Sequence, residues 1–155
     1  MKAARLLIAI GILVSSSAVA EPYAQWGVFA DGTPLSEIDA SVKMPSASDV
    51  PIPLAPGGVF VGGGGDSDCT IGIRSKQSVE QVCTFYRSVL DSSIYQRVED
   101  LEIEGHPSCA IYEHGDVKNG AGVWVFESTD PLFVINGSTL IHVNYQSEDG
   151  KACDV

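Results

Sequence analysis

The chain of 155 residues carries 20 acidic side chains against nine basic ones, a formal net charge of −11 at pH 7. This sign excludes a nucleic-acid backbone or an anionic membrane surface as the main partner, because both would repel the chain. It favours a cationic protein surface, although acidity also serves solubility on its own. The length suits one hydrophobic core and is too short for two comfortable ones.

Residues 1–20 have the three parts of a signal peptide. Lys2 and Arg5 precede an apolar run over 6–14, and a small-residue site follows at 18–20. Nine apolar residues are about half of the roughly 18 to 20 that span a bilayer. No cysteine before Cys69 could carry a lipid, so we expect no stable membrane anchor. We expect cleavage after residue 20, export to the periplasm, and a mature chain with seven basic against 20 acidic residues, a net charge near −13.

Residues 21–57 are predicted to form an extended arm. They hold six of the eight prolines, and proline disfavours both helices and central strands. Tyr23, Trp26 and Phe29 are the expected anchors of this arm on the domain, with or without a short edge strand. The alternative is a disordered linker. Residues 58–155 are predicted to form the α+β domain.

A run of glycines and aspartates follows the apolar segment 59–61. It consists of Gly62, Gly63, Gly64, Gly65, Asp66, Ser67 and Asp68, and the alternating segment 69–74 comes next, a pattern that predicts strand, flexible tip, strand. A phosphate-binding loop would require a lysine and the start of a helix after the glycines. Two aspartates and a predicted strand follow instead, which disfavours phosphate binding. Asp66 and Asp68 lack the rest of a calcium loop, which leaves calcium open. We interpret the run as a thin acidic finger for a protein cleft, with a plain flexible hairpin as the alternative.

The strongest helix prediction covers Ser78–Asp91. Ser78 and Gln81 match a capping box, and apolar residues recur every three or four positions: Val79, Val82, Cys83, Tyr86, Val89 and Leu90. Strands are predicted at 94–103, 109–113, 122–127, 132–135 and 139–145, with Asn136-Gly137 as the hairpin turn between the last two. One helix packed on a mostly antiparallel sheet predicts a single α+β domain of two layers.

Four cysteines lie in the predicted mature chain: Cys69, Cys83, Cys109 and Cys153. An even number in an exported protein favours two disulfides, and the absence of a CxxC pair argues against zinc. Three connectivities are open. A bond between the neighbouring Cys69 and Cys83 is not specially favoured, because their distances from the intervening turn differ by about 10 Å. We favour Cys83 with Cys109.

No catalytic motif is present in the sequence. The nucleophile elbow, the metalloprotease helix, the phosphate loop and the dinucleotide fingerprint are all missing, so we expect no enzyme and no cofactor. His106, His114 and His142 are scattered and are interpreted as structural or surface residues. The acidic cluster of Glu99, Asp100, Glu102 and Glu104 is interpreted as a solvated strand edge rather than a catalytic pair.

The signal segment MKAARLLIAIGILVSSSAVA, the acidic cysteine-paired domain and the projecting GGGGDSD loop together resemble the periplasmic immunity proteins of type VI secretion. The nearest class neutralises peptidoglycan-degrading effectors. The resemblance covers the general plan of the whole chain and carries over no contact residue. It implies a cognate cell-wall hydrolase as partner. Our own contact prediction is the run 62–68 together with Glu99, Asp100 and Glu102. The alternative is a small-ligand-binding or envelope-assembly domain of the periplasm.

Overall fold

The computed structural model of the chain describes residues 25–37, 43–45, 50–64, 68–103, 105–114 and 121–146. In these ranges the chain forms a seven-stranded sheet, mostly antiparallel, and one α-helix. This confirms the α+β class, with the sheet as the dominant element. The predicted signal peptide at 1–20 lies outside the described residues.

The strand order places the last strand of the sequence in the middle of the sheet. The strands are β1 (Gln25–Trp26), β2 (Val59–Gly64), β3 (Asp68–Ser75), β4 (Tyr95–Ile103), β5 (His106–Glu113), β6 (Gly122–Glu127) and β7 (Thr139–Gln146). They lie in the order β1-β2-β3-β7-β6-β5-β4. Only β1 and β2 pair in parallel, and β7 joins β3 to β6. The middle of the sheet is therefore complete only when the C-terminal strand β7 has been made.

The helix α1 spans Val79–Val89 and begins as predicted. The Ser78 side chain accepts from the backbone of Gln81, and the Gln81 side chain accepts from the Ser78 backbone, so the capping box is complete. Its contacts are with β5 and β6. The predicted apolar face is buried except at its C-terminal end, where Val89 is exposed because the helix ends there.

A disulfide fastens α1 to the sheet. Cys83 on the helix is bonded to Cys109 on β5, with the two Cα atoms 6.2 Å apart, and both residues are buried. The favoured pairing of these two cysteines is confirmed. Cys69 is also disulfide-bonded, whereas Cys153 lies outside the described residues.

The core lies on one face of the sheet, the face to which the Cys83–Cys109 disulfide fastens α1. Strand alternation sends every second side chain to this face, and the register aligns one buried residue from each of five neighbouring strands: Phe60, Ile73, Ile141, Val125 and Cys109. The other face carries the intervening residues. We call this the outer face, and the residues of β3 and β7 that line the candidate functional site lie on it.

The N-terminal arm is attached by aromatic contacts. Trp26 packs edge-on against Phe60 with ring centroids 5.0 Å apart, and Phe29 contacts Phe133 at 5.4 Å. Two of the three predicted anchors thus make the expected kind of contact, and the short edge strand is β1. Tyr23 lies outside the described residues.

The predicted strand at 132–135 and its hairpin turn are wrong. These residues form a turn that leads into a 3-10 helix at Val134–Asn136, and β6 is the strand that pairs with β7. The Asn136 side chain bonds the backbone of Val28 in the arm, so it does not act as a hairpin residue. Gly137, at φ 125°, lies where any side chain would overlap the Ser75 carbonyl. The Asn-Gly signal therefore reflects tertiary contacts and not a β-hairpin turn.

Candidate functional site

The predicted finger is shorter than expected, because three of its glycines belong to β2. Gly62 pairs with Gly72 and Gly64 with Thr70, after an irregularity between Phe60 and Gly62. Gly62 and Gly64 have φ values of 154° and 156°, a conformation that other residues rarely adopt. Asp68 already belongs to β3. The tip is therefore limited to 65–67, which lie outside the described residues together with any calcium contact of Asp66.

The second predicted contact group lies at the other end of the sheet. Glu99, Asp100 and Glu102 belong to β4, the edge strand beyond β5. Three strands separate β4 from β3, so the strand axes are about 19 Å apart at the usual spacing. The structure does not bring the two predicted groups together. Their role in partner binding stays a prediction for each group.

A cavity opens on the outer face where the glycine segment meets the middle of the sheet. Its volume is about 310 Å³, near the lower limit of the roughly 300 to 1,000 Å³ of ligand pockets. Strands β2, β3 and β7 and the loop between β6 and β7 supply the lining. The lining residues are Val61, Gly62, Gly63, Gly64, Thr70, Gly72, Arg74, Ser128, Asp130, Phe133, Leu140 and His142.

Arg74 closes one end of this cavity with a buried guanidinium group. The residue is only 1% exposed. Nη1 donates to the carbonyls of Ser128 at 2.7 Å and Gly137 at 3.3 Å, and Nη2 donates to the Ser128 hydroxyl at 2.9 Å. Nε has no hydrogen-bond partner among the described residues. Burial lowers the pKa of Arg74 and the Asp130 carboxylate partly offsets this, but a guanidinium remains charged in proteins.

His142 forms the side of the cavity on β7, directly opposite Gly72 in the register. Its ring meets the Phe126 ring edge-on at a centroid distance of 5.2 Å. Burial lowers the pKa of His142 from its usual value, and the Arg74 charge lowers it further. At neutral pH the imidazole is therefore uncharged and offers one donor and one acceptor.

Three large apolar side chains are exposed beside this cavity. Leu132, Val134 and Ile135 are 55%, 48% and 49% exposed, and together we call them the apolar loop. Phe133, between the first two, lines the cavity. Single exposed apolar residues are ordinary, whereas a group of them close together in one loop is a candidate interaction surface.

The apolar loop is held in place by the N-terminal arm. Asn136 Oδ1 accepts from the Val28 N–H at 2.9 Å, and Asn136 Nδ2 donates to the Val28 carbonyl at 2.7 Å. The Ala30 N–H donates to the Leu132 carbonyl at 3.0 Å, and Asp130 Oδ1 accepts from the Leu132 N–H at 2.9 Å. These bonds fix the loop backbone while its apolar side chains face outward.

The remaining histidines are separate from this site. His106 Nδ1 lies 3.1 Å from a Glu127 carboxylate oxygen, and His114 Nε2 lies 3.3 Å from the Ser92 carbonyl. Within the described ranges, no group of three or more histidine, cysteine or acidic side chains is placed to hold a metal ion. In the same ranges, no helix is long and apolar enough to cross a membrane.

Sequence reasoning missed the main components of this site. From the sequence, Arg74 is the end of an alternating segment, His142 is interpreted as a structural or surface residue, and 132–135 are predicted to form a strand. Strand alternation does place Arg74 and His142 on the face away from Ile73 and Ile141. It does not show that β3 and β7 are neighbours, which is what brings the two side chains together.

Models of protein families, characterised proteins and solved structures were compared with the chain, and none matches it.

Proposed function

We propose that this chain is an exported inhibitor of the immunity-protein class, which binds a cell-wall-degrading enzyme of the periplasm and occludes its active cleft. The observation that supports it best is the apolar loop, whose three exposed side chains stand beside an open cavity. Such a group has an unfavourable contact with water unless a partner covers it. We further infer that helix and sheet form a two-layer α+β domain that supports this surface.

Charge supports the choice of partner. With the predicted signal peptide removed, the chain has a net charge near −13, so that a cationic enzyme would be attracted over several ångströms before contact. Peptidoglycan carries acidic groups, and enzymes that act on it gain from a cationic cleft. In this proposal the charge accelerates association, whereas the apolar loop supplies most of the affinity.

The expected contribution of the apolar loop follows from its exposure. Full burial of a large aliphatic side chain stabilises by about 1.5 to 3 kcal/mol, and about half of each side chain is still exposed before binding. Covering the loop should therefore contribute about 1 kcal/mol per residue, or about 3 kcal/mol together. That is a factor of roughly 100 in the dissociation constant.

The experiment starts from the gene encoded next to this one, because immunity proteins are encoded beside their toxin. The protein encoded by the neighbouring gene is co-purified with the mature chain. Hydrolysis of peptidoglycan by that protein is then measured in the presence and in the absence of the mature chain. The test variant combines Leu132→Ser, Val134→Ser and Ile135→Ser. The control variant combines Val89→Ser and Ile94→Ser, which change two side chains of similar exposure outside the apolar loop.

We expect the wild type and the control to inhibit hydrolysis, and the loop variant to bind roughly 100-fold more weakly with unchanged thermal stability. A neighbouring hydrolase that is not bound, or that the loop variant inhibits as well as the wild type does, would contradict the proposal. Turnover of peptidoglycan by the purified chain itself would instead make it an enzyme.

The cavity favours a second function, the binding of a small ligand. Its volume and its mixture of apolar walls with Arg74 and His142 are typical of a specific pocket. A ligand that co-purifies with the mature chain and is lost after unfolding and refolding would support this second function over inhibition.

A further inference from the structure

Gly72 is a glycine that the fold does not require. It lies inside β3, between β2 and β7, and its φ is not among the positive values found at other glycines. A Cβ built there would meet the Gly62 carbonyl oxygen at 3.4 Å and Val61 Cγ2 at 3.5 Å, which are ordinary contacts. Glycine within a strand costs about 0.5 to 1 kcal/mol relative to alanine. Its presence therefore needs a reason outside folding stability.

The missing side chain of Gly72 would occupy the cavity. Gly72 pairs with Gly62 on one side and His142 on the other, and all three line the cavity. Two residues away along β3 in either direction are Thr70 and Arg74, so the lining of this strand spans about 13 Å. A strand glycine often marks a bulge, a tight bend, or a place where a ligand or another backbone approaches closely. The register of β3 with β7 is unbroken at Gly72, which favours the close approach.

The floor and walls suit a flat group. Where Gly62 and Gly72 lie side by side, the floor consists of bare peptide groups without side chains. Val61, Leu140 and Phe133 supply apolar walls. A volume of about 310 Å³ holds one amino-acid side chain more readily than a larger organic ligand. Shape alone therefore favours a planar ring.

The two charges of the lining give an ionic occupant little net attraction. A cationic side chain would be attracted by Asp130 and repelled by Arg74, an anionic one would meet the reverse, and either would lose its hydration. A neutral group avoids both costs. Hydrogen-bonding groups remain available at His142 and at the Thr70 end of the cavity, where the Thr70 hydroxyl donates to Asn144 Oδ1 at 2.9 Å.

We propose that the cavity receives one aromatic side chain of a partner protein, a tyrosine or a tryptophan, and that Gly72 keeps the cavity open for it. These residues combine a flat apolar body with one hydrogen-bonding group, and they are the commonest anchors of protein interfaces. The inference rests on the proposed function, since the partner that inserts the ring is the inhibited hydrolase. The apolar loop then forms the apolar rim around the inserted ring.

The first test uses N-acetyl-tyrosinamide as the probe, with the leucine and lysine analogues for comparison. Amide chemical shifts of the labelled mature chain are followed during titration. The test variant is Gly72→Ala. The control is Val89→Ala, because Val89 is an exposed residue of α1 that does not line the cavity.

We expect the tyrosine probe to shift the amides of Gly62, Gly72 and His142 in the wild type and in the control, and to bind at least about tenfold more weakly to Gly72→Ala. The melting temperature of Gly72→Ala should be equal to or above that of the wild type. Equal binding to Gly72→Ala, or stronger binding of the leucine or lysine probe, would overturn the proposal. The wild-type titration decides the matter even if the variant folds poorly.

The second test separates this inference from the proposed function. The same two variants are assayed for inhibition of the neighbouring hydrolase. Inhibition that Gly72→Ala retains in full would refute the aromatic anchor and leave the inhibitor function standing. Binding of the tyrosine probe without any bound hydrolase would refute the inhibitor function, and the cavity would then serve an aromatic small ligand. Loss of inhibition in Gly72→Ala, with inhibition retained by the control variant, supports both the aromatic anchor and the inhibitor function.

Discussion

Removal of the disulfide between Cys83 and Cys109 should destabilise the domain substantially. The bond closes a loop with a sequence separation of 26, and the chain-entropy relation gives about 3.5 kcal/mol for a loop of that length. Typical domains have a free energy of unfolding of 5 to 15 kcal/mol, so the loss is a large fraction of the total. The bond also holds α1 against β5, the strand with which the helix makes most contacts.

The perturbation is the pair Cys83→Ala with Cys109→Ala in a chain that lacks the predicted signal peptide and keeps the 135 residues 21–155. The unfolding entropy of a domain of this size is about 0.28 kcal/mol per kelvin, so that 3.5 kcal/mol corresponds to a decrease of about 12 °C in melting temperature. Differential scanning calorimetry without reductant measures it, so that the disulfide of Cys69 is kept in both proteins.

A second variant, Cys83→Ala with Cys109→Val, refills part of the volume left by the sulfur atoms. It distinguishes stability lost through poorer packing from stability lost because the unfolded chain is no longer cross-linked. If the constraint dominates, both pairs should melt at nearly the same temperature. A Val-containing pair that recovers most of the wild-type stability would refute the entropic reasoning, and so would an Ala pair that melts within about 2 °C of the wild type.

Three further outcomes follow from the outer face of the sheet. Asn136→Ala should lower the free energy of unfolding by about 1 to 3 kcal/mol, because it leaves both backbone groups of Val28 unpaired; an unchanged urea midpoint would contradict this. Arg74→Lys keeps the charge but cannot reproduce the forked hydrogen bonds to Ser128. The free energy of unfolding in urea should therefore decrease by about 2 kcal/mol, and an unchanged value would show that these bonds contribute little. The pKa of His142 is lowered in the folded state, so stability should fall as the pH drops below about 6.5 and protons bind the unfolded chain first. His142→Gln should lose less stability than the wild type between pH 7 and 5, and parallel curves for the two proteins would argue against a buried neutral imidazole.

Local signals in the sequence determined the elements whose stabilising contacts are near in the chain. The helix start follows from Ser78 and Gln81, which bond each other across a single turn. The alternation in β3 and β7 follows from the need to bury one side of each strand. The distances that helix and strand residues cover along their axes bore only on a bond between Cys69 and Cys83, and the favoured pairing of Cys83 with Cys109 did not follow from them.

The acidic balance is also a property of sequence alone, because net charge is independent of the fold. The proposal of a cationic partner therefore rests on the sequence alone. It misled where a local motif had a tertiary cause: Asn136-Gly137 has the composition of a hairpin turn, but its residues are explained by Val28 and Ser75, which are far away in the chain.

Only the tertiary structure decided the candidate site. Alternation assigns Gly72, Arg74 and His142 to a face, but strand order decides which of them are neighbours, and that order depends on contacts between segments about 70 residues apart. The exposure of the apolar loop is likewise invisible in a run of apolar residues, since the same run would be buried in a strand. Bonds from the arm to Asn136 and Leu132 hold it outside the sheet, because the backbone groups that a strand would have paired within the sheet are satisfied there instead.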